Sequence, residues 1–305
     1  MVKRLLIIIL LPVLLMSGPA KPTYEAVTVA DPEIPMHVDD ASFQSLRSLE
    51  DNRLESRLMQ KLSENPEWKG LIENDRMAVG LVDLRDMAHP RFAAINGNTM
   101  MYAASLPKIA ILLTAMDALE KNELDETPEI KQDLRLMIAK SDNHASTRMI
   151  DRLGYHKIEQ VLTDPRYALY DPNYGGGLWV GKRYAAEGER YPDPIKGLSH
   201  AASVTQVCRF YYMMIFGKLV SFERSRQMLS IMGTPELHHK FVNTLEAIAP
   251  SALLFRKSGS WQNYHSDSIL VWDKDRKYIL VGLTEASDGE TILRKLVLSV
   301  EEVLN

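Results

Sequence analysis

The chain of 305 residues has a single cysteine, Cys208, so no disulfide can form within it. A reactive thiol needs a basic, partly exposed setting. Val207-Cys208-Arg209-Phe210-Tyr211 reads instead as helical, with the thiol a small buried hydrophobe. No His-Glu-x-x-His occurs, and His238-His239 has no third ligand at metal spacing, which argues against zinc chemistry. There is no basic excess: 36 Lys and Arg against 40 Asp and Glu give a net charge of −4. A nucleic-acid footprint would be basic and clustered. Gly176 to Lys182 matches a phosphate loop up to its lysine, but Arg183 stands where Ser or Thr is needed and no apolar strand precedes it. No apolar run reaches the ~20 residues of a membrane-spanning helix. Internal repeats and low-complexity tracts are absent as well.

What the chain does have begins at its N-terminus. Lys3 and Arg4 precede an apolar run from Leu5 to Met16, then Ser-Gly-Pro-Ala. That is the layout of an export signal over residues 1–20; left uncleaved, it would be an N-terminal membrane anchor. No cysteine sits near the end of the run to carry a lipid. Cleavage removes two cations and no acid, leaving −6. The expected location is therefore exported, periplasmic or otherwise extracytoplasmic. Residues 21–40, rich in Pro, Asp and Glu, read as a linker.

Residues 41–305 read as one catalytic domain of α+β class. Apolar positions from Phe43 to Leu62 have near-helical spacing. Met77–Leu84 and Phe92–Ile95 predict a strand hairpin. Helices are predicted over 105–119, 128–140, 143–153, 202–217, 222–232 and 238–247. Leu253–Ser258, Ser268–Trp272 and Tyr278–Leu283 predict three more strands, and 290–304 a closing amphipathic helix. Strands at both ends predict one antiparallel five-stranded sheet flanked by helices, from about 41–100 and 250–305. The middle, about 105–248, is expected to be an all-helical lobe.

Three short elements carry chemistry. Ser105-Leu106-Pro107-Lys108 opens the 105–119 helix. At i and i+3, Ser105 Oγ and Lys108 Nζ share a face, so the lysine can take the serine's proton if burial depresses its pKa. The Ser105 backbone N–H would point toward a developing oxyanion. Ser141-Asp142-Asn143 follows: Ser141 to relay a proton to a leaving nitrogen, Asp142 to brace the loop, Asn143 to hold a substrate amide. Lys257-Ser258-Gly259 ends a β-rich run, with Lys257 and Ser258 suited to a substrate carboxylate. Gly259 permits close backbone approach, and the Ser260 N–H is a second oxyanion donor. Tyr170, Tyr174 and Trp179 fit the filling or rim of a cleft.

In this order the three elements resemble the serine β-lactamases and penicillin-binding DD-peptidases, most closely class A β-lactamases, over roughly residues 75–304. Supporting context includes Tyr102-Ala103-Ala104 before Ser105, Met137 to Ser146, and Leu153-Gly154. The resemblance implies an acyl-enzyme formed on Ser105 and activated by Lys108. Ser141 assists proton delivery, and Lys257 with Ser258 reads the carboxylate of a β-lactam or a peptidoglycan stem peptide; no cofactor is implied. There are two departures. The Ser105–Ser141 gap is short for class A. The glutamate that positions the deacylating water in that class is missing: its expected place, near Asn173–Gly177, holds no acid except Asp171. Glu187 and Glu189 are the remaining candidates. Slow deacylation would make the protein more like a penicillin-binding protein, and a non-catalytic peptide-binding module on the same fold is the third reading.

Overall fold

The computed structural model describes residues 34–305. The expected export signal and residues 21–33 of the expected linker lie outside them. The linker's last residues do not hang free. Ile34 is buried in the core, the Met36 N–H donates to Ile215 O, and His37 stacks on Phe222 at 3.7 Å.

The chain enters through α1 (Asn52–Ser63) and α2 (Pro66–Glu73), capped by Asp51 and Asn65 side chains. Then come β1 (Met77–Asp83) and β2 (Arg91–Ile95). The short strand β3 (Met101–Tyr102) leads to α3 (Lys108–Glu120), α4 (Pro128–Ala139), α5 (Asn143–Leu153) and α6 (Tyr155–Thr163). Four short strands follow: β4 (Tyr170–Asp171), β5 (Gly176–Gly177), β6 (Trp179–Val180) and β7 (His200–Ala202). Helices α7 (Val204–Ile215), α8 (Phe222–Met232) and α9 (Phe241–Ile248) precede β8 (Leu253–Trp261), β9 (Tyr264–Trp272), β10 (Lys277–Glu285) and α10 (Gly289–Leu304).

The main sheet has the order β2-β1-β10-β9-β8, antiparallel throughout, so the last strands pair with the first. Strand β1 is buried on both faces and alternates between two cores. Met77, Val79 and Leu81 pack with α1, α2, α9 and α10; Ala78 and Val82 face the helical side. On that side Gly80 lets α7 approach, since a Cβ there would lie 2.7 Å from Cys208 Sγ. The thiol is fully buried and its pKa is pushed up by that burial, as befits an inert packing residue. Helix α3 is buried from Lys108 to Leu119 and forms the axis of the helical lobe.

Three expectations need correction. The middle lobe is not all-helical: β3, β7 and β6 form a small sheet, and β4 pairs with β5. Helix α3 starts at Lys108, three residues later than its apolar pattern suggests. Pro107 has no N–H to give an α-type bond, and residues 103–110 are held by i→i+3 bonds. Strand β9 begins at Tyr264 rather than Ser268. Its polar start, through Ser266 and Asp267, is buried by pairing with Ser258 to Trp261, which no local pattern announces.

Candidate active site

Three elements meet where the small sheet, the helical lobe and the edge strand β8 adjoin. The first is the turn before α3. Ala104 has φ +50, in the left-handed region, and this sharp turn follows β3 directly. Ser105 comes next, half-buried. The second is the joint between α4 and α5. Ser141, at φ +57, ends α4, where a glycine is the usual residue. The Asp142 carboxylate then caps α5 by accepting from Ala145 N at 2.6 Å. One three-residue joint thus stops one helix, starts the next and turns the Ser141 carbonyl and hydroxyl toward Lys108. The third is β8 at the open edge of the sheet. A Cβ on Gly259 would lie 2.5 Å from Ser105 N and 2.4 Å from Ala103 O. Only glycine lets the strand backbone press against the Ser105 amide.

Lys108 and Lys257 are both buried and both address Ser141. Lys108 Nζ donates to Ser141 O at 2.6 Å, to Asn143 Oδ1 at 2.8 Å and to Ser141 Oγ at 3.3 Å. Lys257 Nζ donates to Ser141 Oγ at 2.9 Å and to Ser258 O at 2.5 Å. Burial drops the Lys108 pKa to about 7. Burial, then the positive charges of Lys108 and Arg256, hold Lys257 well below its ordinary value. Two lysines on one hydroxyl titrate as a coupled pair, so a neutral amine is available near pH 7. No hydrogen bond joins Ser105 Oγ to Lys108 among the described residues; the lysine is held by the Ser141–Asn143 joint.

Glu187 and Glu189 are exposed, and neither carboxylate bonds to a site residue among those described. What the segment between β6 and β7 presents to the site is Tyr184. Its hydroxyl donates to Ala104 O at 3.3 Å, Lys108 Nζ lies 4.4 Å from its ring centroid, and its ring packs on His200 at 4.3 Å. Burial raises the phenol well above its usual pKa and drops His200 to about 4, so both are neutral near pH 7. Trp179 and Tyr170 are buried, packed together at 4.8 Å as loop filling, whereas Tyr174 is exposed and stacks with Arg47 at 3.6 Å.

Behind β8 lies a set of charges that no motif marks. Arg256 and Asp267 form a fully buried ion pair at 2.8 Å. Arg256 also donates to Leu237 O and His239 O, and Asp267 accepts from Phe241 N. This pins the 237–241 segment so that His239 Nε2 is 3.2 Å from Ser258 Oγ. Lys240 is buried with its ammonium 2.6 Å from Gly259 O and 2.8 Å from Ser260 Oγ. The one legible sign of these partners was polar residues inside an apolar strand pattern. The sequence does not indicate Tyr184.

The model of the β-lactamase enzyme family matches residues 125–300, which include Ser141–Asn143 and Lys257–Gly259; Ser105 and Lys108 precede the match. No curated protein matches the chain in sequence. Among solved structures, the fold is similar to a β-lactamase from Sphaerobacter thermophilus DSM 20745, at 14% identity and TM-score 0.64, covering 82% of this chain and 97% of that one. It is similar to a β-lactamase from Chitinophaga pinensis DSM 2588, at 13% identity and TM-score 0.61, covering 81% and 99%. It is similar also to a mutant of PBP-A in an acyl-enzyme complex with penicillin G, at 18% identity and TM-score 0.60, covering 85% and 98%. The match spans more than half of the chain, and the chain therefore belongs to the β-lactamase enzyme family.

Proposed function

We propose that this protein is an exported serine amidohydrolase that opens a β-lactam, or a related amide bearing a carboxylate, through an acyl-enzyme on Ser105. The observation that carries the reading is Lys108, buried, held at a pKa of about 7 and tied to Ser141 beside Lys257. A neutral lysine takes the Ser105 hydroxyl proton as Oγ bonds to the carbonyl carbon. The tetrahedral oxyanion collapses, the C–N bond breaks, and a proton passes through Ser141 to the leaving nitrogen. The N–H groups of Ser105 and Ser260 receive the oxyanion. Ser258, Lys257 and His239 receive the carboxylate.

Hydrolysis of the ester needs a group to take a proton from water. Tyr184 faces Lys108 from the loop, and a phenol held neutral is a poor base for that step. This favours a second reading, a penicillin-binding DD-peptidase on peptidoglycan stem peptides, where a β-lactam is an inhibitor rather than a turned-over substrate. A fluorescent penicillin tests the chemistry: a covalent adduct is expected in the parent and not in Ser105→Ala. Absence of the adduct in the parent leaves only the peptide-binding module. A chromogenic cephalosporin then divides the two enzymatic readings. A burst with slow turnover supports the peptidase, and fast steady turnover supports the lactamase.

A further inference from the structure

The buried charges behind β8 do not balance. Arg256 and Asp267 neutralise each other. Lys240 adds a second cation, fully buried, with three contacts to oxygen and no carboxylate within salt-bridge distance among the described residues. Its backbone is strained to hold it there, at φ +53 and ψ −121. Burying an unpaired ammonium costs free energy, and its pKa falls to about 8 because of that burial. Such a group asks for an anion.

Its position indicates which one. A single ammonium reaches Gly259 O at 2.6 Å and Ser266 O at 3.1 Å, the carbonyls of residues paired across β8 and β9. Those oxygens therefore lie between the two strands. In a trans peptide the C=O and the following N–H point in opposite directions. The N–H at the other end of the Gly259–Ser260 peptide thus faces away from β9, toward the open edge. At that edge Gly259 presses on Ser105 N, so the Ser260 and Ser105 amides border one space.

We propose that Lys240 is a positioning residue of the oxyanion site. From behind β8 its ammonium polarises the Gly259–Ser260 peptide, and this strengthens the Ser260 N–H as donor to the developing oxyanion. The inference rests on the acyl-enzyme reading above. A cation on a peptide oxygen withdraws density from the nitrogen of the same amide, and hydrogen bonds in such a chain reinforce one another. In a dry interior, the uncompensated positive charge is relieved when the oxyanion forms. The same ammonium holds Ser260 Oγ, which fixes the rotamer beside the donor.

The experiment uses the full chain and penicillin G labelled with ¹³C at its β-lactam carbonyl. The readouts are the second-order acylation rate and the infrared stretch of the ester carbonyl on Ser105. Lys240→Met removes charge and hydrogen bonds. Lys240→Gln keeps N–H donors and removes only the charge, so a mere tether survives in it. Both variants are expected to acylate ~10-fold or more slowly, with the ester band moved to higher frequency. Acylation within twofold of the parent and an unmoved band in a folded variant would overturn the proposal. If the parent itself forms no ester, it is the acyl-enzyme reading that falls. If neither variant folds, the parent's ester band across pH 7–9 decides. The groups facing Lys240 are Arg256 on β8, Asp267 and His265 on β9, Glu290 on α10 and the adjacent His239, with Lys257 across the strand. Lys108 is held near 7 and Lys240 near 8. An upward shift of the band through the pKa of Lys240 supports the role, and a constant band refutes it.

Discussion

Ser141 shows how much a single residue carries. Its left-handed backbone costs about 1 kcal/mol in a residue with a Cβ. The same conformation aims its carbonyl at Lys108 and its hydroxyl at both lysines. Ser141→Gly removes the strain and the relay together. It is expected to match or exceed the parent in melting temperature while acylating ~10²-fold more slowly with a penicillin. A variant that is both stable and fully active would remove Ser141 from proton transfer. Lys108 gives a second prediction at this scale. In the proposed mechanism the neutral amine is the active form, so acylation should rise with pH through about 7. Tyr184→Ala admits water to the lysine. Burial is the leading cause of the lowered pKa, and the lost cation–π attraction, ~1–2 kcal/mol, opposes it weakly. The inflection should therefore move to higher pH, which stopped-flow acylation at a series of pH values would read.

At the scale of elements, β8 is where the C-terminal strands meet Ser105. Its residues alternate in role: Lys257 turns to Ser141, Ser258 to His239, and Gly259 lies on the Ser105 amide. Gly259→Ala would drive a Cβ into the Ala103 carbonyl and the Ser105 nitrogen, which are backbone atoms with little room to move. The expected cost is about 1–3 kcal/mol and near-complete loss of acylation, checked by thermal melting and fluorescent-penicillin labelling. The strand itself was legible, because Leu253–Phe255 is apolar and β-rich. Its extension to Trp261 was not, since Gly259 and Ser260 carry no apolar signal and the exposed Ser260 and Trp261 are held in the strand only by pairing with β9. The helices α4 and α5 were legible to within a residue, each having its own cap and apolar stripe. The start of α3 was not, because an apolar pattern does not register the missing N–H of Pro107.

The whole molecule closes its sheet with strands nearly 200 residues apart, and its N-terminal approach is part of the packing. Ile34 is buried, Met36 bonds to the end of α7, and Asp40 pairs with Lys218. A chain beginning at residue 41 loses the Ile34 burial, ~2 kcal/mol. Compared with one beginning at residue 33, it should melt ~3–6 °C lower; equal melting would show that the segment adds nothing. The order Ser105–Lys108, Ser141–Asn143, Lys257–Gly259 and the periodicity of the flanking segments determined the reaction class and the sheet, because both are written in local spacing. The tertiary structure decided what stands beside those residues. Tyr184 rather than a glutamate faces Lys108, and Lys240 and His239 stand behind β8. Such partners are set by where the segment between β6 and β7 and the strained start of α9 come to rest, through pairing and burial across long stretches of chain.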